Sequence, residues 1–130
     1  IQGVWNYETM LGNGIAFALE PALRRLPGGA MGKPYADAMV RHSGYFNAHP
    51  YLAAVAVGAL ARAELDGTPA AQIERFRTAA PGPLGSVGDR LIWAGWLPFC
   101  SALALVAFGI GWSPAGVVLL FFGVYNSGHL

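Results

Sequence analysis

The chain has 130 residues, 55% of them hydrophobic and 12% charged, with eight basic and seven acidic side chains for a net charge of +1. A soluble domain keeps roughly a quarter of its residues charged because every element has a wet face, so this composition argues against an ordinary water-soluble globule. The lack of a basic stripe argues against nucleic acid as a partner, and the single Cys100 rules out an internal disulfide.

The first residues, Ile-Gln-Gly-Val-Trp-Asn-Tyr-Glu, lack the basic start and apolar run of a secretory signal. The first residue is Ile1, and the chain reads as part of a longer protein. Trp5, Met10, Leu11, Ile15, Leu19, Ala22, Leu23 and Leu26 recur at three-and-four spacing, interrupted by Gly12 and Gly14. This spacing predicts a short first helix and then a helix from Ile15 to Leu26, stopped by Pro27-Gly28-Gly29. The face carrying Glu8, Glu20, Arg24 and Arg25 reads as the wet side of a bundle helix. Pro34 opens the next helix, with Ala36, Met39, Val40 and Phe46 on one face and Lys33, Asp37 and Arg41 on the other.

Pro50 biases His49 away from helical backbone angles and can start the next helix, so His49 marks a junction. Tyr51 to Ala61 is apolar, too short to span a bilayer alone, and ends at Arg62, Glu64 and Asp66. After the turn Asp66-Gly67-Thr68-Pro69, a small charged helix from Pro69 to Ala80 turns Ile73 and Phe76 inward and Glu74, Arg75 and Arg77 outward. The three glycines and two prolines of Pro81-Gly82-Pro83-Leu84-Gly85-Ser86-Val87-Gly88-Asp89 predict an irregular loop.

Beyond Arg90 the charges stop, and residues 91–130 hold one ionisable imidazole, His129. Leu91 to Trp112 supplies about the 20 apolar residues that a membrane-crossing helix needs. Trp93 and Trp96 stand at one end and Trp112 at the other, where indoles favour the headgroup boundary. The competing reading of such a run is the buried core helix of a soluble protein. Pro98 predicts a kink, tolerable in lipid where a neighbouring helix or water satisfies the freed carbonyl. Cys100 reads as a small packing residue. Ser113-Pro114 breaks the run, and a second apolar helix starts at Ala115, short for a full crossing. It is either re-entrant, as long as its partner allows, or cut off, and truncation is the favoured reading.

The fold class these segments imply is an all-α membrane protein. Residues 1–90 form an amphipathic and re-entrant helical region, and residues 91–130 hold at least two transmembrane helices. All eight basic residues precede the first span, which places the N-terminal part on the cytoplasmic side. Asn47 to Pro50, Gly82 to Asp89 and Tyr125 to Leu130 combine polar and helix-breaking residues beside apolar helices. Unpaired backbone groups in lipid must be buried or face a watery cavity, so these stretches are expected to converge on one another or on a polar solute. Asp89 is either an N-terminal helix cap paired with Arg90 or part of a polar translocation surface. His49 is either a junction histidine bonded to a backbone carbonyl or a sugar contact, and Asn126 either interhelical glue or a sugar contact. His42 and His49 are seven apart with no third ligand, so no metal site is expected. The glycines match no phosphate loop, and no nucleophile, base and orienting group assemble into a catalytic set.

Four blocks lie in order along the chain: Trp5-Asn6-Tyr7-Glu8 to Met10; Phe46-Asn47 to His49-Pro50-Tyr51-Leu52; Gly82-Pro83-Leu84-Gly85 to Gly88-Asp89 with Trp93; and Asn126 to His129-Leu130. In these blocks the sequence resembles the N-terminal half of the IID component of mannose/fructose/sorbose-type bacterial sugar phosphotransferase systems. The resemblance implies a multi-pass subunit of the bacterial inner membrane that works with a IIC membrane subunit to bring in a hexose. The phosphate-carrying histidines then belong to the cytoplasmic IIA and IIB proteins, and this chain needs no cofactor and is not catalytic alone. Asn47, His49, Gly85, Gly88, Asp89 and Asn126 become the expected translocation interface. The competing class is a shortened, non-transporting interaction or sensing relative of the same family.

Overall fold

A computed structural model describes residues 2–128. Within them the chain is helical: α1 (Gly12–Leu23), α2 (Lys33–Ser43), α3 (Pro50–Leu65), α4 (Ala70–Ala79), α5 (Pro81–Gly88), a π-helical segment (Asp89–Trp96), α6 (Leu97–Gly109) and α7 (Pro114–Ser127). Two isolated bridges, Asn6 with Met10 and Met10 with Phe46, are the strand-like pairings among the described residues. The chain packs as two compact units that divide between Gly88 and Asp89.

In the first unit, Leu11, Ile15, Leu19 and Leu23 recur every four residues and form one buried stripe. They share a core with Ala38 of α2, Phe46, Ala53, Ala56 and Leu60 of α3, and Ile73 of α4. Burying each large aliphatic side chain contributes about 1.5–3 kcal/mol, which is what holds α1 to α2 and α3. Gly12 does not interrupt the helix as the spacing suggested. It begins α1 because the end of α2 comes so close that an added Cβ would overlap the Gly44 carbonyl oxygen and lie 2.8 Å from that of Ser43. α1 ends at Leu23, three residues earlier than expected, and it carries Pro21 within it.

Pro34, Pro50 and Pro114 each stand in the first turn of a helix, where their missing N–H has no intrahelical partner to lose. α3 runs past the expected end at Ala61 to Leu65, which brings Glu64 into the buried set. Three inward assignments fail: Ala36 and Val40 are exposed on α2 while Ala38 and His42 are buried, and Phe76 is half exposed on α4. The predicted loop from Gly82 to Asp89 is instead helical. Pro81 and Pro83 occupy the tolerant first turn of α5, the Leu84 amide bonds the Ala80 carbonyl at 3.1 Å, and Gly82, Gly85 and Gly88 fall three apart on one side.

In the second unit, Pro98 lies in the first turn of α6. A proline there has no N–H and clashes with the carbonyl four residues back, and the preceding eight residues, Asp89–Trp96, take the wider π-helical winding. α6 and α7 pack as a hairpin, with Cys100, Ala104 and Ala107 buried at four-and-three spacing and Ser113 capping α7 through the Gly116 amide at 3.2 Å. Trp96 is not free for a headgroup. Its indole N–H donates to the Tyr125 carbonyl at 3.1 Å. Along the backbone, the run Ala70–Gly109 is the one helical stretch among the described residues long and apolar enough to cross a membrane. α7 is apolar but has 14 residues, short of the about 20 a crossing needs.

Candidate functional site

The site grows from the six residues between α2 and α3. Asn6 folds the N-terminal segment onto them: its side-chain oxygen accepts the amides of Glu8 (3.0 Å) and Thr9 (2.9 Å), and its side-chain nitrogen donates to the Thr9 hydroxyl at 3.0 Å. This turn drives Met10 to φ 52°, a left-handed conformation that costs a non-glycine residue about 1–2 kcal/mol. Phe46 receives it, donating its amide to the Thr9 carbonyl at 3.2 Å and accepting the Leu11 amide at 2.9 Å. The block around Asn6 and the block around Phe46 are therefore one structure.

α2 ends against a buried charge cluster that polarity alone did not reveal. Glu64 of α3 accepts from Arg41 and, at 2.7 Å, from Nε2 of the fully buried His42. Because a carboxylate only accepts, Nε2 carries the His42 proton, and Nδ1 is a buried acceptor without a partner. Burial pushes the His42 pKa below its ordinary value; Glu64 opposes this, while Arg77 and Arg41 add to it. Arg77, expected to point outward from α4, is buried at 5% exposure. Its terminal nitrogens reach the carbonyls of Gly44 (3.1 Å) and Tyr45 (3.5 Å) and, at 3.4 Å, Glu74. The signal was present in the sequence: Arg77 is four residues after the buried Ile73 and so shares its face.

His49 ends the junction, with extended backbone at φ −61° and ψ 128°, and its carbonyl accepts the Ala53 amide at 2.9 Å to begin α3. The imidazole is buried, 5.3 Å from the Tyr51 ring between centroids. The glycine face of α5 lies directly on it. A Cβ on Gly88 would overlap Cβ and Cγ of His49 and lie 2.9 Å from Nδ1, whereas a Cβ on Gly85 would sit 3.8 Å from the Ala48 Cα in ordinary contact. Of the expected site residues, His49, Gly85 and Gly88 thus meet, and Asn47 stands exposed on the same junction.

Asp89 and Asn126 belong to the second unit. Asp89 is not a helix cap, since α5 continues into it without a break and the amides it would cap are already inside a helix. Asn126 donates to the Phe122 carbonyl at 2.7 Å, one turn back on α7, rather than across to another helix. Two residues further on, Gly128 packs on the indole of Trp96, where a Cβ would come 2.5 Å from Nε1. His129 lies outside the described residues. Among those described, no three of His, Cys, Asp and Glu are grouped to hold a metal ion.

The model of the PTS system mannose/fructose/sorbose family IID component matches residues 1–130. The chain belongs to this IID family. It is 33% identical to the mannose-specific EIID component of Escherichia coli strain K12, covering 96% of this chain and 45% of that protein. It is 30% identical to the fructose permease IID component of Bacillus subtilis strain 168, over 92% of this chain and 44% of the relative. The sorbose-specific EIID component of Klebsiella pneumoniae is 28% identical, over 99% of this chain and 47% of its own length. A chain in a cryo-EM structure of the mannose transporter ManYZ with microcin E492 superposes with a TM-score of 0.84 at 32% identity, covering 98% of this chain and 47% of that one. The IID chain thus spans a little under half the length of the relatives it matches. Its all-helical architecture is that of a membrane transporter component.

Proposed function

We propose that this IID chain takes part in phosphoenolpyruvate-dependent uptake of a hexose of the mannose/fructose/sorbose class across the bacterial inner membrane, paired with a IIC subunit. The single observation that carries the reading is the family match over residues 1–130, supported by the 0.84 superposition on a mannose transporter chain. Cytoplasmic IIA and IIB proteins supply the phosphoryl group, and the chain itself performs no catalysis and holds no cofactor. The charge-free part of the Ala70–Gly109 run after Arg90 and the apolar α7 are membrane helices. The charged elements before Arg90 face the cytoplasm, as the confinement of all eight basic residues to that side of the first span supports.

Asn47, His49, Gly85 and Gly88 of the first unit, and separately Asp89 and Asn126 of the second, take part in the polar interface against which the sugar site of the IIC subunit moves. The close seating of His49 on Gly88 supports this, because a glycine kept clear for an imidazole is a contact whose geometry matters. The test is hexose accumulation in vesicles holding the complete IID subunit, IIC and the cytoplasmic phosphocarriers. Asp89→Ala and Asn126→Ala are each expected to lower uptake at least tenfold while copurification with IIC persists. Full uptake with both changes removes the interface reading. Copurification without uptake by the unmodified complex favours the sensing relative instead.

A further inference from the structure

We infer that Arg77 is a positioning residue for the Asn47–His49 junction, acting from α4 through the backbone it holds. An arginine buried to 5% exposure is costly to desolvate, and a methionine of similar length would fill the same space without that cost. What the guanidinium adds is geometry. Gly44 and Tyr45 are the first residues past the last turn of α2, and their carbonyls have no helical partner. Nη2 of Arg77 donates to both, at 3.1 and 3.5 Å, while Nη1 of the same planar guanidinium reaches Glu74 at 3.4 Å.

The contacts on either side of these carbonyls carry the effect into the junction. Just before them, His42 and Arg41 are tied to Glu64 of α3; just after them, Phe46 is paired in both directions to the Asn6 turn. Residues 44 and 45 are the remaining stretch between two fixed points, and Arg77 fixes it. Asn47 and His49 come two and four residues beyond Tyr45, so the direction in which they leave Phe46 depends on the clamp. With Arg77→Lys the charge at the C-terminus of α2 survives, but the ammonium has no second nitrogen to keep the Glu74 contact that aims Nη2 at the two carbonyls.

This inference rests on reading the junction as part of the sugar-translocation surface, and a double-mutant cycle separates the two. The complete subunit, reconstituted with IIC and the phosphocarriers, is assayed for mannose uptake as Asn47→Ala, Arg77→Lys and the pair. Arg77→Lys is expected to raise the KM for mannose about tenfold with copurification unchanged, and the double variant to be no worse than Asn47→Ala alone. Amide exchange should speed up at residues 44–49 and stay slow in α1 and α3. If the two effects multiply, or if Asn47→Ala impairs uptake while Arg77→Lys leaves KM unchanged, the positioning role is wrong. If Asn47→Ala is itself silent, the translocation reading of the junction falls and the inference with it. Loss of assembly in both Arg77→Lys and Arg77→Gln would make Arg77 a folding residue and overturn the assignment.

Discussion

Adding one methyl group at Gly88 tests the packing of α5 on the junction, and the same change at Gly85 is its internal control. In a helix, alanine in place of glycine gains about 0.5–1 kcal/mol from lower backbone entropy, and that gain is common to both positions. The two differ in what the methyl meets. At Gly85 it finds the Ala48 Cα at 3.8 Å and the His49 amide nitrogen at 4.0 Å, both ordinary contacts; at Gly88 it overlaps Cβ and Cγ of His49. Overpacking of this kind costs about 1–3 kcal/mol. Gly88→Ala should therefore be less stable than Gly85→Ala by that difference, read as the shift in denaturation midpoint of the complete subunit in detergent. The rescue is specific. Because Cβ of His49 is itself overlapped, His49→Ala should restore little, while His49→Gly, which removes both atoms and is tolerated at a helix N-cap, should restore most of the loss. Equal stability of the two alanine variants would refute the reasoning, as would full rescue by His49→Ala.

Three further expectations concern buried polar groups. Glu64→Gln leaves Arg41 and His42 facing no charge at a site where Glu64 is 9% exposed, and should cost about 3 kcal/mol or more in chemical denaturation; Asp37→Asn, at the exposed pair with Lys33, should cost less than about 1 kcal/mol. The lowered pKa of His42 means the native state favours the neutral ring, so its contribution to stability is complete above the ordinary imidazole value of 6.5 and is lost as pH falls below it toward the folded pKa. His42→Gln should flatten the stability profile between pH 6.5 and more acidic conditions, and an unchanged slope would show that another group titrates there. Trp96→Phe removes the indole donor to Tyr125 and should weaken the α6–α7 hairpin by about 0.5–1.5 kcal/mol, measured by denaturation in detergent.

Much of the fold could be read from local chemistry. Pro34, Pro50 and Pro114 mark helix starts because their missing N–H and fixed φ act on the residues beside them. The last charge at Arg90 marks the start of the charge-free apolar helices for the same kind of reason, since every later residue is assessed by its own side chain. The region from Gly82 to Asp89 misled because glycine and proline were weighed as breakers in isolation. Their positions in the first turn and on one packed face make a helix there, and the tolerance of that face is decided by His49, 39 residues away from Gly88 in the chain.

The amino-acid order by itself determined the helical class, the charge-free stretch after Arg90 and the kinship to the IID family, carried by four short blocks in order. Only the tertiary structure decided that Arg77 turns inward, that Glu64 joins His42 and Arg41, and that Gly88 is kept bare for an imidazole. The physical reason is range. Propensity, capping and hydropathy act over one or two turns and are written beside the residue they govern, whereas the partner of a buried charge or a bare glycine comes from another element, and its identity exists only once the helices have packed.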